Sequence, residues 1–263
     1  MTAIARTVGD TRTMLRRQML HQVRYPSITV MLLAMPVIIL LLFVYVFGGT
    51  MGAGISGPGG SRGSYVNYLA PGIIMMTVAS ATVATAVSVC TDMSEGIIAR
   101  FRTMAISRAA VLTGHVAGSV IQTMISVALV TGVALLAGFR PTASPAGWIG
   151  AIGVLVMLAL AMSWLAAAIG MWAKSPETAS NIPIPLAILP LLATGFVPAA
   201  SMPAGLRWFA QHQPFTPVIE TLRGLLVGTP IGNNAMIAAA WCVPIAAASY
   251  LWARSLYRRD PSR

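Results

Sequence analysis

The stretch TDMSEGIIARFRTMAISRA, Thr91 to Ala109, decides how the chain is read. It carries Asp92, Glu95, Arg100, Arg102 and Arg108, in a protein where only 9% of residues are charged. A long apolar run stands on either side of it. Charge of this density does not belong in hydrocarbon, so the stretch marks a turn at one face of a bilayer.

Working outward, the composition agrees. The 263 residues are 57% hydrophobic, with a mean hydropathy of +0.79. Soluble domains stay near ~50% apolar. The expected fold is an all-α polytopic membrane protein with six transmembrane helices. The net charge of +11 does not point to nucleic acid, because the basic residues stand at the ends of apolar runs. Cys90 and Cys242 lie in or beside apolar runs and read as small buried hydrophobes. Neither a disulfide framework nor a metal site is expected.

The chain divides into residues 1–26, a six-span domain over 27–256 and a tail over 257–263. In the first part Ile4, Val8, Leu15, Met19 and Val23 share an apolar stripe among arginines, an amphipathic helix lying in the cytoplasmic interface. Span one is expected at Ser27–Phe47 and reads as retained, because its core is longer than that of a signal peptide. Gly48–Ser64 reads as a flexible loop, rich in Gly and Ser. Span two is expected at Tyr65–Cys90, span three at Ala110–Phe139 and span four at Gly147–Trp172. The fifth apolar segment, 182–200, contains Pro183, Pro185, Pro190 and Pro198. A helix there is kinked or discontinuous, and something must satisfy the carbonyls it frees. Residues 201–230 are too polar to span and read as a hairpin dipping into the interface. Thr216-Pro217 predicts an N-cap with proline at the first helical position. Val218, Ile219, Leu222, Leu225 and Leu226 then share one face. Span six is expected at Asn234–Leu256.

Charge sets the orientation. With the N-terminus inside, the cytoplasmic segments hold Arg6, Arg12, Arg16, Arg17, Arg24, Arg100, Arg102, Arg108, Lys174, Arg254, Arg258, Arg259 and Arg263. Only Arg62, Arg140, Arg207 and Arg223 fall outside. This bias places both termini in the cytoplasm of a plasma membrane.

No energy source is evident in the spans. The acids are Asp10, Asp92, Glu95, Glu177, Glu220 and Asp260, none at the middle of an expected span. Ion-driven transport is thereby disfavoured. The single lysine, Lys174 in AIGMWAKS, has alanine at both glycine positions of a phosphate-binding loop. His115 and Ser119 stand one turn apart, a weak basis for an intramembrane hydrolase. A non-transporting scaffold or receptor subunit is the alternative from another class.

The opening stretch then gains a second reading. Asp92-x-x-Glu95 fits a capping box, and acids first with bases last suit the helix dipole. Ile97, Phe101 and Met104 recur on one side. The stretch is either an ordinary positive-inside loop or a short amphipathic helix seated in a groove of a soluble partner.

Four segments, in order, resemble an ABC-2 type permease of the daunorubicin-resistance exporter family. They are LRRQMLHQVRYP running into LLLFVYVFGG (Leu15–Gly49), YLAPGI (Tyr68–Ile73), SEGIIARFRTMAISR (Ser94–Arg108) and QPFTPVIETLRGLL (Gln213–Leu226). The resemblance implies a cytoplasmic coupling helix between spans two and three, with its Glu-Gly-x-x-x-Arg pattern on Glu95, Gly96 and Arg100, flanked by Asp92, Phe101 and Arg102. Ala105-Ile106 departs from the family, which often has proline there. An extracellular re-entrant hairpin between spans five and six is implied at Pro214, Thr216, Pro217, Glu220 and Arg223. Glu220 and Arg223, one turn apart, are expected to pair. Also implied are a second, like or unlike, permease chain and two ATPase subunits that bind ATP and Mg. This chain would have no catalytic residues and no cofactor. A hydrophobic or amphipathic compound, drug-like or lipid, would pass between the permease chains. Met75, Met76, Thr77 and Thr82 are candidates for the wall, with ordinary packing as their other reading.

Overall fold

A computed structural model describes residues 26–56, 61–94 and 108–259. The expected N-terminal interfacial helix, the coupling residues Glu95, Gly96, Arg100, Phe101 and Arg102, and the end of the tail lie outside the described residues. All regular structure described is helical.

Helix α1 is Pro26–Tyr45, α2 is Gly48–Ser56, α3 is Arg62–Ser94, α4 is Arg108–Leu136 and α5 is Pro145–Trp172. Short pieces follow: α6 at Pro176–Asn181, α7 at Ile184–Ile188, and 3-10 turns at Leu189–Leu192 and Ala199–Ser201. Helices α8 (Ala204–His212) and α9 (Phe215–Val227) form a hairpin, and α10 (Asn234–Arg259) ends the described chain. Among the described residues α3, α4, α5 and α10 are long and apolar enough to cross a membrane.

The termini of α5 follow simple rules. Ser144 accepts from the Gly147 N–H at 3.2 Å, and Pro145 takes the first position, where no N–H is needed. Helix α9 stops at Gly228, whose φ of +84° is open to glycine without strain. The fifth apolar segment is not one helix. Its prolines divide it into α7 and 3-10 turns, as proline's missing N–H and ring clash require.

Helix α3 is the axis of the bundle. It packs against α1, α2, α4, α5, α6, α7 and α9, while α5 also pairs along α10. The main core joins Tyr65, Leu69, Ile73 and Met75 of α3 to Leu158 of α5 and to Phe215, Ile219 and Leu222 of α9. A smaller cluster at the other end holds Val89, Leu112, Val116, Ala167, Met171, Ala253 and Tyr257. Large apolar side chains face outward, including Ile38, Leu129, Met236, Val243 and Leu251. Such a surface suits hydrocarbon rather than water.

Three expectations change. Gly48–Ser64 is not simply a loop: Gly48–Ser56 forms α2, which packs on α3 with Met51 against the main core. Packing there supplies what glycine's weak helix propensity lacks. Asp92 does not cap a new helix. It lies in the last turn of α3, which runs to Ser94. Thr216 is not an N-cap either: α9 begins at Phe215, after Pro214. The Thr216 hydroxyl instead donates back to the Ala210 carbonyl at 2.5 Å, closing the hairpin. The apolar face of α9 is as expected, with Val218, Ile219, Leu222 and Leu226 buried and Leu225 packed beside them.

Candidate functional site

Two polar clusters sit near opposite ends of α3. Tyr68 and Asp92 are 24 residues apart on one helix, about 36 Å at 1.5 Å per residue.

The cluster at the α3 N-terminal end begins with a backbone contact. Gly72 of α3 meets Gly195, which follows the 3-10 turn at Leu189–Leu192. A Cβ on Gly72 would lie 2.7 Å from the Gly195 Cα, so both positions need glycine. One turn before Gly72, the Tyr68 hydroxyl donates to the Thr194 carbonyl at 2.7 Å. The Arg223 Nη2 of α9 donates to the same carbonyl at 2.8 Å and to the Tyr68 carbonyl at 3.3 Å. Its Nη1 donates to Glu220 Oε1 at 2.6 Å, and the Thr194 hydroxyl donates to that same oxygen at 2.6 Å. The Arg223 guanidinium also lies over the Tyr68 ring, 3.9 Å from its centroid.

The arrangement satisfies the carbonyl that the broken segment frees. It also neutralises a charge that burial would otherwise make unfavourable, since the Arg223 side chain is only 6% exposed. Glu220 and Arg223 therefore pair as expected, but in a buried network rather than as an isolated surface pair. Tyr68, Gly72, Thr194 and Gly195 are site residues that no local sequence pattern marks. The signal for them was the proline-broken run itself, whose carbonyls needed donors from elsewhere.

The other expected outer arginines are fastened too. Arg140 Nη1 donates to the Leu135 and Phe139 carbonyls, at 3.0 and 3.1 Å. Arg207 donates to the carbonyls of Ala199, Ala200 and Met202. Arg62 lies over the Tyr45 ring at 5.3 Å. Their charge serves helix ends and ring faces within the chain.

At the far end of α3, Asp92 Oδ2 and His115 Nε2 of α4 are 3.0 Å apart, with side-chain exposures of 15% and 8%. The Cys90 thiol reaches the Ala173 carbonyl at 3.6 Å, tying α3 to the end of α5. Cys90 and Cys242 are free and buried, as expected of small hydrophobes. His115 turns its Nε2 to Asp92 rather than to Ser119, whose carbonyl accepts from Thr123. Among the described residues there is no cluster of three or more metal-ligating side chains.

Of the hairpin residues, Pro214 precedes α9, and Thr216 and Pro217 are buried in its first turn. Met75, Met76, Thr77 and Thr82 are all buried within the chain, and the Thr77 hydroxyl donates to the Ile73 carbonyl.

Residues 10–227 match the model of the ABC-2 type transporter family. The chain belongs to that family. It is 31% identical to the daunorubicin resistance ABC transporter permease protein DrrB1 of Streptomyces coeruleorubidus over 229 residues, 86% of this chain and 78% of that protein. It is also 24% identical to the probable doxorubicin resistance ABC transporter permease protein DrrC of Mycobacterium tuberculosis over 160 residues, 61% of this chain and 58% of that protein. The ABC-2 family and the apolar helices make this a multi-pass plasma-membrane protein of an ABC transporter, a class that works with an ATPase partner.

Proposed function

We propose that this chain is the membrane-spanning subunit of an ATP-driven exporter. It moves a hydrophobic or amphipathic compound outward, drug-like in the first instance and lipid in the second. The observation that carries this reading is the likeness to a daunorubicin-resistance permease over 86% of the chain.

The six spans are then α3, α4, α5 and α10, with α1 and the broken segment as the remaining two. Helix α1 has 20 residues, about 30 Å, which matches the hydrocarbon thickness. Both termini face the cytoplasm, and the α8–α9 hairpin faces outward. Two ATPase subunits bind ATP and Mg and hydrolyse the nucleotide, and this chain carries no catalytic residue. The stretch Asp92, Glu95, Gly96, Arg100, Phe101 and Arg102 receives their stroke. Two permease chains, like or unlike, enclose the path. Met75, Met76, Thr77 and Thr82 reach a substrate there when α3 parts from its neighbours.

The test uses inside-out membrane vesicles containing this chain and the ATPase encoded beside it. ATP is expected to drive accumulation of daunorubicin or another fluorescent amphipathic compound, and only when both chains are present. Accumulation that persists without the ATPase, or with an ATPase unable to hydrolyse ATP, contradicts the reading.

A further inference from the structure

The Asp92–His115 contact brackets the segment expected to receive the ATPase. Residues 95–107 leave from the last turn of α3 and return at Arg108, the first residue of α4. Asp92 lies in that last turn and His115 two turns into α4, and their side chains meet at 3.0 Å. The connecting segment thus starts and ends on two helices already pinned together at its root.

An aspartate in the final turn of a helix sits against the negative end of the helix dipole. Its burial there needs a donor, and His115 supplies one across the interhelical gap. Around this contact the small cluster joins Val89 of α3, Leu112 and Val116 of α4, Ala167 and Met171 of α5, and Ala253 and Tyr257 of α10. A displacement at the pinned root is therefore shared with four long helices rather than absorbed by one.

We propose that Asp92 and His115 act as positioning residues, a clamp that makes the adjacent ends of α3 and α4 move as one body when the 95–107 segment is displaced. The proposal rests on the coupling role given to that segment. The clamp stays closed through the transport cycle. Opening it lets the segment move without carrying the spans, so ATP is hydrolysed without transport.

The full complex, reconstituted in liposomes with daunorubicin as the probe, tests this in two ways. His115→Ala is expected to lower transport per ATP hydrolysed by about tenfold while ATPase activity stays within about twofold, a loss in the range of coupling between two sites. The exchanged pair, Asp92→His with His115→Asp, is expected to restore the ratio. An unchanged ratio in His115→Ala overturns the proposal.

The second test crosslinks Asp92→Cys to His115→Cys in a protein whose Cys90 and Cys242 are alanine. The crosslinked complex is expected to keep ATP-driven transport, and transport that stops on crosslinking overturns the clamp. This arm does not depend on how well His115→Ala folds. Glu95→Ala separates the two levels. If Glu95→Ala uncouples and His115→Ala does not, only the clamp fails. If Glu95→Ala also leaves coupling intact, the coupling role falls and the clamp with it.

Discussion

The two ends of α3 are held in different ways. Near Tyr68, one carbonyl and one carboxylate oxygen each take two donors, and three separate segments converge on them. Near Asp92, α3 meets α4 through the 3.0 Å contact between Asp92 and His115. The packing differs in the same sense. The first end lies in the main core with Tyr65, Phe139 and Phe215, whereas the second rests on the smaller cluster around Val89 and Val116. The first arrangement keeps a proline-broken segment from opening. The second lies where the ATPase is expected to push.

The largest loss is expected on removing one charge from the half-buried Glu220–Arg223 pair. Glu220→Leu leaves the Arg223 guanidinium without its carboxylate and is expected to destabilise the fold by about 3–5 kcal/mol, read as a lower unfolding temperature in detergent. The double variant Glu220→Leu/Arg223→Leu is expected to be less damaging than Glu220→Leu alone, because no unpaired charge remains. A double variant as unstable as the single would show that the cluster does not work as a charge pair.

Next comes the backbone crossing. Gly72→Ala sets a methyl group 2.7–2.9 Å from the Gly195 backbone. Overpacking of this kind is expected to cost about 1–3 kcal/mol, measurable in the same unfolding assay. Thr194→Val removes the donor to Glu220 but keeps the carbonyl and the shape, so about 1 kcal/mol is expected. Tyr68→Phe is expected to be smallest, about 0.6 kcal/mol, the scale of single hydrogen bonds between membrane helices. The order of these losses, more than any one value, sharpens the contrast: each should lower stability while leaving transport per ATP unchanged in protein that folds.

Much of this was legible in the sequence, and the limits have physical causes. The positions of α1, α3, α4, α5 and α10 follow from apolar runs bounded by proline, glycine and charge. The four prolines between 183 and 198 foretold a broken segment. Asp-x-x-Glu fits a helix start as well as a helix end, so local pattern does not decide between them; Asp92 falls in the last turn of α3, beside His115 of another helix. Pro214 and Pro217 offer two helix starts, and α9 takes the earlier one, with Phe215 buried as its first residue. The Glu220–Arg223 pair was visible as neighbours on one helix face. Its partners were not, because Tyr68 meets Thr194 from 126 positions away and Arg223 from 155. Local pattern carries no information about contacts at that separation, whereas the need to satisfy a freed carbonyl does.

In the proposed function the stretch opening at Asp92 takes up the ATPase stroke for a transporting membrane subunit. Its most direct test is transport and ATP hydrolysis measured together in the reconstituted complex carrying Glu95→Ala or Arg100→Ala. The expected result is correct membrane insertion and continued hydrolysis, with transport lost. Wild-type transport per ATP in both variants would contradict the account.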